Sequence, residues 1–144
     1  MKKYGNYSIF YSKIVGHLIK KGKKSGAKKI VDYSFENVAL THNHTLYFIV
    51  YKIFSLLNSY IEVKYIKSRK KVFAIPFPIS LKRRQFLILK SILKRISLKN
   101  RKSISHNLSN ELISILNGSS ELFNLKKLNN MTAVENRSHL HFRW

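Results

Sequence analysis

Apolar residues along this chain follow two rhythms, one near 3.6 and one of 2, and the switch between them sets out its organisation. Ala27, Ile30, Val31, Ser34, Phe35 and Val38 keep the 3, 1, 3, 1, 3 spacing of a single helical face. Upstream, Ile14, Val15, Leu18 and Ile19 predict a first helix over Tyr11 to Lys21, closed by Gly22. Leu46 to Leu57 is apolar almost all round, which predicts a third helix lying in the core. Phe86, Leu89, Leu93 and Ile96 predict the inward face of a fourth helix, Lys82 to Lys99. A fifth, about Ser103 to Asn117, carries Ile104, Leu108, Leu112, Ile115 and Leu116 inward, with Ser103 as N-cap and Gly118 as its stop. A less regular sixth stretch runs from Glu121 to about Phe142.

Between the third and fourth helices the period drops to 2. Ile61, Val63 and Tyr65 share one face of a strand over Ile61 to Ile66, and Phe73, Ile75, Phe77 and Ile79 share one face of a return strand over Val72 to Ile79. Between them lies a five-residue tip, Lys67-Ser68-Arg69-Lys70-Lys71, with four cations. Pro76 and Pro78 are two apart, so their missing N–H groups fall on one side of the strand, the outer edge of a two-stranded ribbon. Such a ribbon is marginal alone, so its apolar side is expected to rest on helices while the tip projects. The pattern therefore predicts a mainly α, single domain over 1–144: a bundle of about six helices with a two-stranded β-hairpin arm, about residues 60–80, between helices three and four.

Charge narrows the choice of partner. Lys plus Arg number 28 against 6 for Asp plus Glu, a formal net charge of +22, and a compact chain with that self-repulsion calls for a polyanion. Hydrophobic residues at 44% and aromatics at 12% separate it from disordered basic tails, which are poor in both. With no cysteine, disulfides, thiolate metal sites and cysteine nucleophiles are excluded. The longest apolar run, Leu46 to Tyr51, falls far short of the ~20 residues of a membrane span. The amino end, MKKYGNYSIFYSK, resembles neither a secretory signal nor a transit peptide, so the protein is expected to stay where it is made or to have been processed already. Abundant Lys, Ile, Asn, Leu, Ser, Phe and Tyr with scarce Gly and Pro point to an AT-rich genome, such as an organelle's.

The cations gather at four places. Lys20, Lys21, Lys23 and Lys24 surround the turn where the second helix presents its unpaired N–H groups, with Lys28 one turn on, which reads as a phosphate site. Lys64 to Lys71 occupy the arm, Lys82, Arg83 and Arg84 open the fourth helix, and Arg83, Lys90, Lys94 and Arg101 form a stripe at spacings of 7, 4 and 7. The six carboxylates sit on different elements with no motif joining them, so the sequence points away from an enzyme. His42-x-His44 and His139-x-His141 lack the further ligands of a metal site. Tyr65, Phe73 and Trp144 are candidates for base stacking, although aromatics at strand spacing more often pack.

Three segments resemble the ribosomal protein seven family of the small subunit, in its bacterial and organellar form. They are HLIKKGKKSGAKKIVDYSF (His17 to Phe35), the arm with IEVK at Ile61 to Lys64, Pro76 and Arg83-Arg84, and the ending MTAVENRSHLHFRW (Met131 to Trp144). The chain departs from the family at the arm tip, where Arg69-Lys70 replaces the frequent Gly-Gly, at Ser80-Leu81, which replaces Arg-Pro, and in a shorter Leu125 to Asn130. The resemblance implies the same helical bundle with its arm. It also implies a primary rRNA-binding protein that contacts the 3′ major domain and organises the small-subunit head. Its arm would lie near the exit tRNA site and the mRNA path, with small-subunit proteins nine and eleven as neighbours.

On this reading rRNA is met by Lys20, Lys21, Lys23, Lys24, Lys28, Lys64, Lys82, Arg83, Arg84, Lys90, Lys94, Arg137, Arg143 and Trp144. The tip residues Lys67, Arg69, Lys70 and Lys71 approach tRNA and mRNA. No cofactor, metal, membrane or second copy is expected, and the location is mitochondrial, with the plastid as alternative. Two other classes suit the same residues: an architectural DNA-binding protein with a basic ribbon, and a peripheral membrane protein with basic amphipathic helices.

Overall fold

A computed structural model describes residues 5–68, 71–98 and 103–142 of the chain. Within them lie six α-helices: α1 (Gly5–Leu18), α2 (Lys24–His42), α3 (Leu46–Leu57), α4 (Leu81–Leu98), α5 (Ile104–Leu116) and α6 (Leu122–Glu135). A 3-10 segment, Arg137–Phe142, follows α6, and the antiparallel strands β1 (Ile61–Ser68) and β2 (Lys71–Pro78) form the arm between α3 and α4.

α5 is the hub of the body and packs on α2, α3 and α4. Its Leu108, Leu112 and Ile115 are closed to solvent beside Val31 and Phe35 of α2, Ile49 and Ile53 of α3, and Leu89 and Ile92 of α4. α2 buries the face that its spacing predicts: Ala27, Val31, Ser34, Phe35 and Val38. Ser34 Oγ lies 2.7 Å from Ile30 O and 2.9 Å from Ser105 O, so its single proton serves one carbonyl at a time while tying α2 to the start of α5. Ser103 caps α5, accepting from His106 N at 3.4 Å, and Gly118 ends it with φ of 76°.

Several expectations are corrected. α1 ends at Leu18 rather than Lys21, because Lys21 and Gly22 both take positive φ (51° and 75°) and turn the chain toward α2. It also begins earlier than Tyr11, and Phe10 is buried among α1–α3, its ring edge-on to Phe35 and Phe54. α3 is buried at Ile49, Val50, Ile53 and Leu57, but Phe48 and Tyr51 are exposed, so it is not enclosed all round. On α4 the buried stripe is Ile88, Leu89, Ile92 and Ile96, with Phe86 and Leu93 only half-buried. The sixth helical stretch breaks at Asn136, whose backbone and side-chain amides both donate to Thr132 O (3.1 and 2.8 Å), and the chain tightens into the 3-10 segment.

The arm's register corrects both its tip and its faces. Strand pairing runs from Ile61↔Pro78 to Ser68↔Lys71, so Lys67, Ser68 and Lys71 belong to the ladder, and the expected five-residue tip narrows to residues 69 and 70, which lie outside the described residues. Val63 is opposite Pro76 and Lys64 opposite Ile75. The apolar set of β1 (Ile61, Val63, Tyr65) and that of β2 (Phe73, Ile75, Phe77) therefore lie on opposite faces of the ribbon. Ile79 N donates to Tyr60 O at 3.0 Å, and alternation from that rung puts Pro76 and Pro78 at non-hydrogen-bonded positions, on the outer edge as their spacing predicts. The arm packs on α6 and the 3-10 segment, burying Ile75 and Ala133 outside the main core.

Candidate nucleic-acid interface

The root of the arm is clamped by two residues expected to meet RNA. Arg83 at the start of α4 donates to both Glu62 oxygens, Nε at 3.1 Å and Nη2 at 2.7 Å. Those hydrogen bonds hold the Glu62 carboxyl below the ordinary carboxylate range, against the opposing effect of partial burial. Arg84 donates from Nε to Ile79 O at 3.0 Å and lays its guanidinium 4.2 Å from the centre of the Tyr60 ring. Lys64 sits over Phe77 at 5.0 Å. Along the other strand, His139 Nδ1 is 3.2 Å from Ala74 O, and Phe73 stacks on Phe142 at 5.0 Å. Phe73 is thereby a packing residue, whereas Tyr65 is exposed.

Between arm, α4 and α6 opens a cleft of ≈ 350 Å³. Ile61 and Val63 line one side, Leu87 and Ile88 another and Leu125 a third, while Arg84, Lys90, Lys94 and Lys126 bring cations to it. Lys126 Nζ donates to Leu56 O at 2.8 Å, which pins α6 to the end of α3. Lys90 and Lys94, one turn apart on α4, are exposed. Lys126 was not among the expected binding residues: only the packing of α6 beside the arm brings it to α4.

A second cationic site forms at the amino end of α2. Lys23 N donates to Lys20 O at 3.1 Å and Lys24 N to Gly22 O at 2.8 Å, folding the turn so that Lys20, Lys21, Lys23, Lys24 and Lys28 are all exposed around it. No acidic residue occupies the first turn and no side chain caps the helix, so the positive end of its dipole adds to the lysines. Lys82 and Arg137 are exposed, as are Lys67 and Lys71 on the last rungs of the arm. Arg69, Lys70, Arg101, Arg143 and Trp144 lie outside the described residues.

Away from these surfaces, a buried carboxylate appears that no local pattern announces. Glu111 of α5 accepts from Ser120 Oγ at 2.6 Å and lies 4.0 Å from Arg95 Nε, while another nitrogen of Arg95 pairs with Glu121. This network joins α4, α5 and the entry to α6. Ion pairs among the described residues engage Arg83 and Arg95, and the exposed lysines of both sites are left to solvent or a partner. Among the described residues no set of three His, Cys, Asp or Glu is arranged for a metal, and no helix is long and apolar enough to cross a membrane.

Fold and surface together define a basic helical scaffold that carries a clamped hairpin arm. The profile of the family described as ribosomal protein S7p/S5e matches residues 2–137, and the chain belongs to that family. It is 32% identical over 111 residues to the small ribosomal subunit protein uS7 of Carsonella ruddii, covering 77% of this chain and 70% of the relative. It is 24% identical over 136 residues to the protein of that name from Mycoplasmopsis pulmonis (94% and 87% covered), and 25% over 137 residues to that of Treponema denticola (95% and 88%). It is thus a ribosomal protein of the small subunit, a structural component of the translation machinery and not an enzyme.

Proposed function

We propose that this protein binds the 3′ major domain of small-subunit rRNA and organises the subunit head. The observation that carries this reading is the arrangement of cations in two exposed sites, the amino end of α2 and the cleft between arm, α4 and α6, each beside a rigid element. Lysines there meet phosphates, so affinity falls steeply with salt and the readout is of shape more than sequence. Arg83 and Arg84 serve the interface indirectly, by fixing the arm root against α4. The tip residues Lys67, Arg69, Lys70 and Lys71 approach exit-site tRNA and mRNA, and small-subunit proteins nine and eleven are the neighbours.

The compositional bias supports an organelle-encoded protein of the mitochondrial ribosome, with the plastid as alternative. The bacterial relatives fit the bacterial type of ribosome that organelles carry. Sedimentation of a mitochondrial lysate tests the whole reading. The protein should travel with the small subunit and be released by ribonuclease; release by a DNA-specific nuclease, or sedimentation apart from the subunit, overturns it.

A further inference from the structure

A second cavity, ≈ 300 Å³, opens on the other side of Arg84 from the RNA-facing cleft. Tyr47, Tyr51 and Phe54 of α3 line it at positions i, i+4 and i+7, with Asn58 just beyond α3 and Arg84 and Gln85 from α4. We infer that this cavity takes one unpaired nucleobase of the RNA to which the protein binds, an inference that rests on the rRNA-binding reading above.

Its chemistry fits a base on each count. Three aromatic rings and a guanidinium plane offer flat surfaces for stacking, the commonest way in which splayed bases are held. The walls are set in advance: Phe54 is braced edge-on by buried Phe10 at 4.8 Å, and Arg84 is fixed by Ile79 O at 3.0 Å and by the ring of Tyr60. The side-chain amides of Asn58 and Gln85 have no hydrogen-bond partner among the described residues, and each carries both a donor and an acceptor, as the edge of a base requires. No carboxylate lines the cavity, and exposed Lys82, one helical turn before Gln85, brings a cation beside it for a phosphate that flanks the base. Tyr51, 62% exposed, stands at the mouth. A protein partner's aromatic side chain would use the rings but leave both amides and the surrounding positive charge unanswered.

The test uses the full chain. Binding of a single-stranded oligoadenylate and of an RNA duplex is measured by fluorescence anisotropy for the parent, Tyr51→Phe, and the double variant Tyr51→Ala with Gln85→Ala. The double variant should bind the single strand about tenfold more weakly and the duplex unchanged, and Tyr51→Phe should bind both as the parent does. An unchanged single-strand affinity, or equal losses for strand and duplex, overturns the base pocket while leaving the rRNA reading in place. A parent that binds neither RNA removes the rRNA reading itself, and the pocket with it. In the assembled small subunit, a photoreactive phenylalanine in place of Tyr51 should crosslink to RNA; a crosslink to a protein assigns the cavity to that protein and overturns the inference.

Discussion

In the helical body, Phe10, Phe35, Ile49, Leu89, Leu108 and Leu112 lie closed to solvent in one apolar cluster, while the arm buries Ile75 outside that cluster and is held largely by polar fasteners. Those fasteners are the Arg83–Glu62 pair, the Arg84 bond to Ile79 O and the His139 contact with Ala74 O, and the apolar Phe73–Phe142 stack supplements them. The difference sets what each part responds to. Apolar area is almost indifferent to pH and salt, whereas ion pairs near the surface respond to both.

The largest expected effect strikes the body alone. Leu112→Ala should cost about 3–5 kcal/mol, because a fully buried leucine loses both its transfer free energy and its packing neighbours. Urea unfolding followed by circular dichroism checks it, and a loss under 1 kcal/mol would mean that α5 is not the hub. Next comes the ionic network around buried Glu111. Arg95→Ala should cost about 1–3 kcal/mol by taking a cation from beside the buried Glu111 carboxylate, and adding Glu111→Leu should recover much of the loss. Failure of the second change to rescue would show that Arg95 acts through its pairing with exposed Glu121 instead.

The contrast between body and arm also explains what the sequence reveals. α3 is found at Leu46–Leu57 as its apolar run predicts, and α2 buries its predicted face, because helix periodicity is a local property. On α4 the period is visible but the phase is not: the stripes Phe86-Leu89-Leu93-Ile96 and Ile88-Leu89-Ile92-Ile96 are a small rotation apart, and the positions of α5, α1 and α3 select the second. The ribbon shows the same limit, since alternation marks the apolar side of each strand but the register decides whether the two sides coincide, and here they do not. Arg83 and Arg84 look like phosphate ligands in a chain of charge +22, and only the fold brings Glu62 and Ile79 to them. The lysines at the amino end of α2 are legible because turn and helix start are neighbours in sequence. Lys126 is not, because the path from α4 to α6 runs through the whole of α5.

A smaller effect should separate arm from body by pH. The folded pKa of Glu62 lies below its unfolded value, so the tie to Arg83 is fully present above the ordinary carboxylate pKa of 4.5 and is lost as pH falls through the folded value. The pair is partly exposed, so Glu62→Gln should cost under ~1 kcal/mol in global stability. NMR contacts between β1 and the first turn of α4 should weaken in acid, and in Glu62→Gln at neutral pH, while contacts between α2 and α5 persist. Simultaneous loss of both sets would mean that arm and body open as a single unit.

The smallest effect on RNA affinity is expected where charge is densest. Replacing Lys67, Arg69, Lys70 and Lys71 by Ala removes four cations, and if all four met rRNA phosphates the salt dependence of binding would fall by about 3–4 in log–log slope. Lys67 and Lys71 stand exposed at the outer end of the ladder, far along the strands from the Arg83–Glu62 clamp, where an arm can meet something other than the RNA proposed for the cleft at its root. The slope for rRNA should therefore change by less than ~1, while retention of exit-site tRNA by assembled subunits falls. A full loss of slope would instead make the arm an anchor along its whole length, and the clamped root would then serve to hold a phosphate-binding edge in register rather than to aim a free tip.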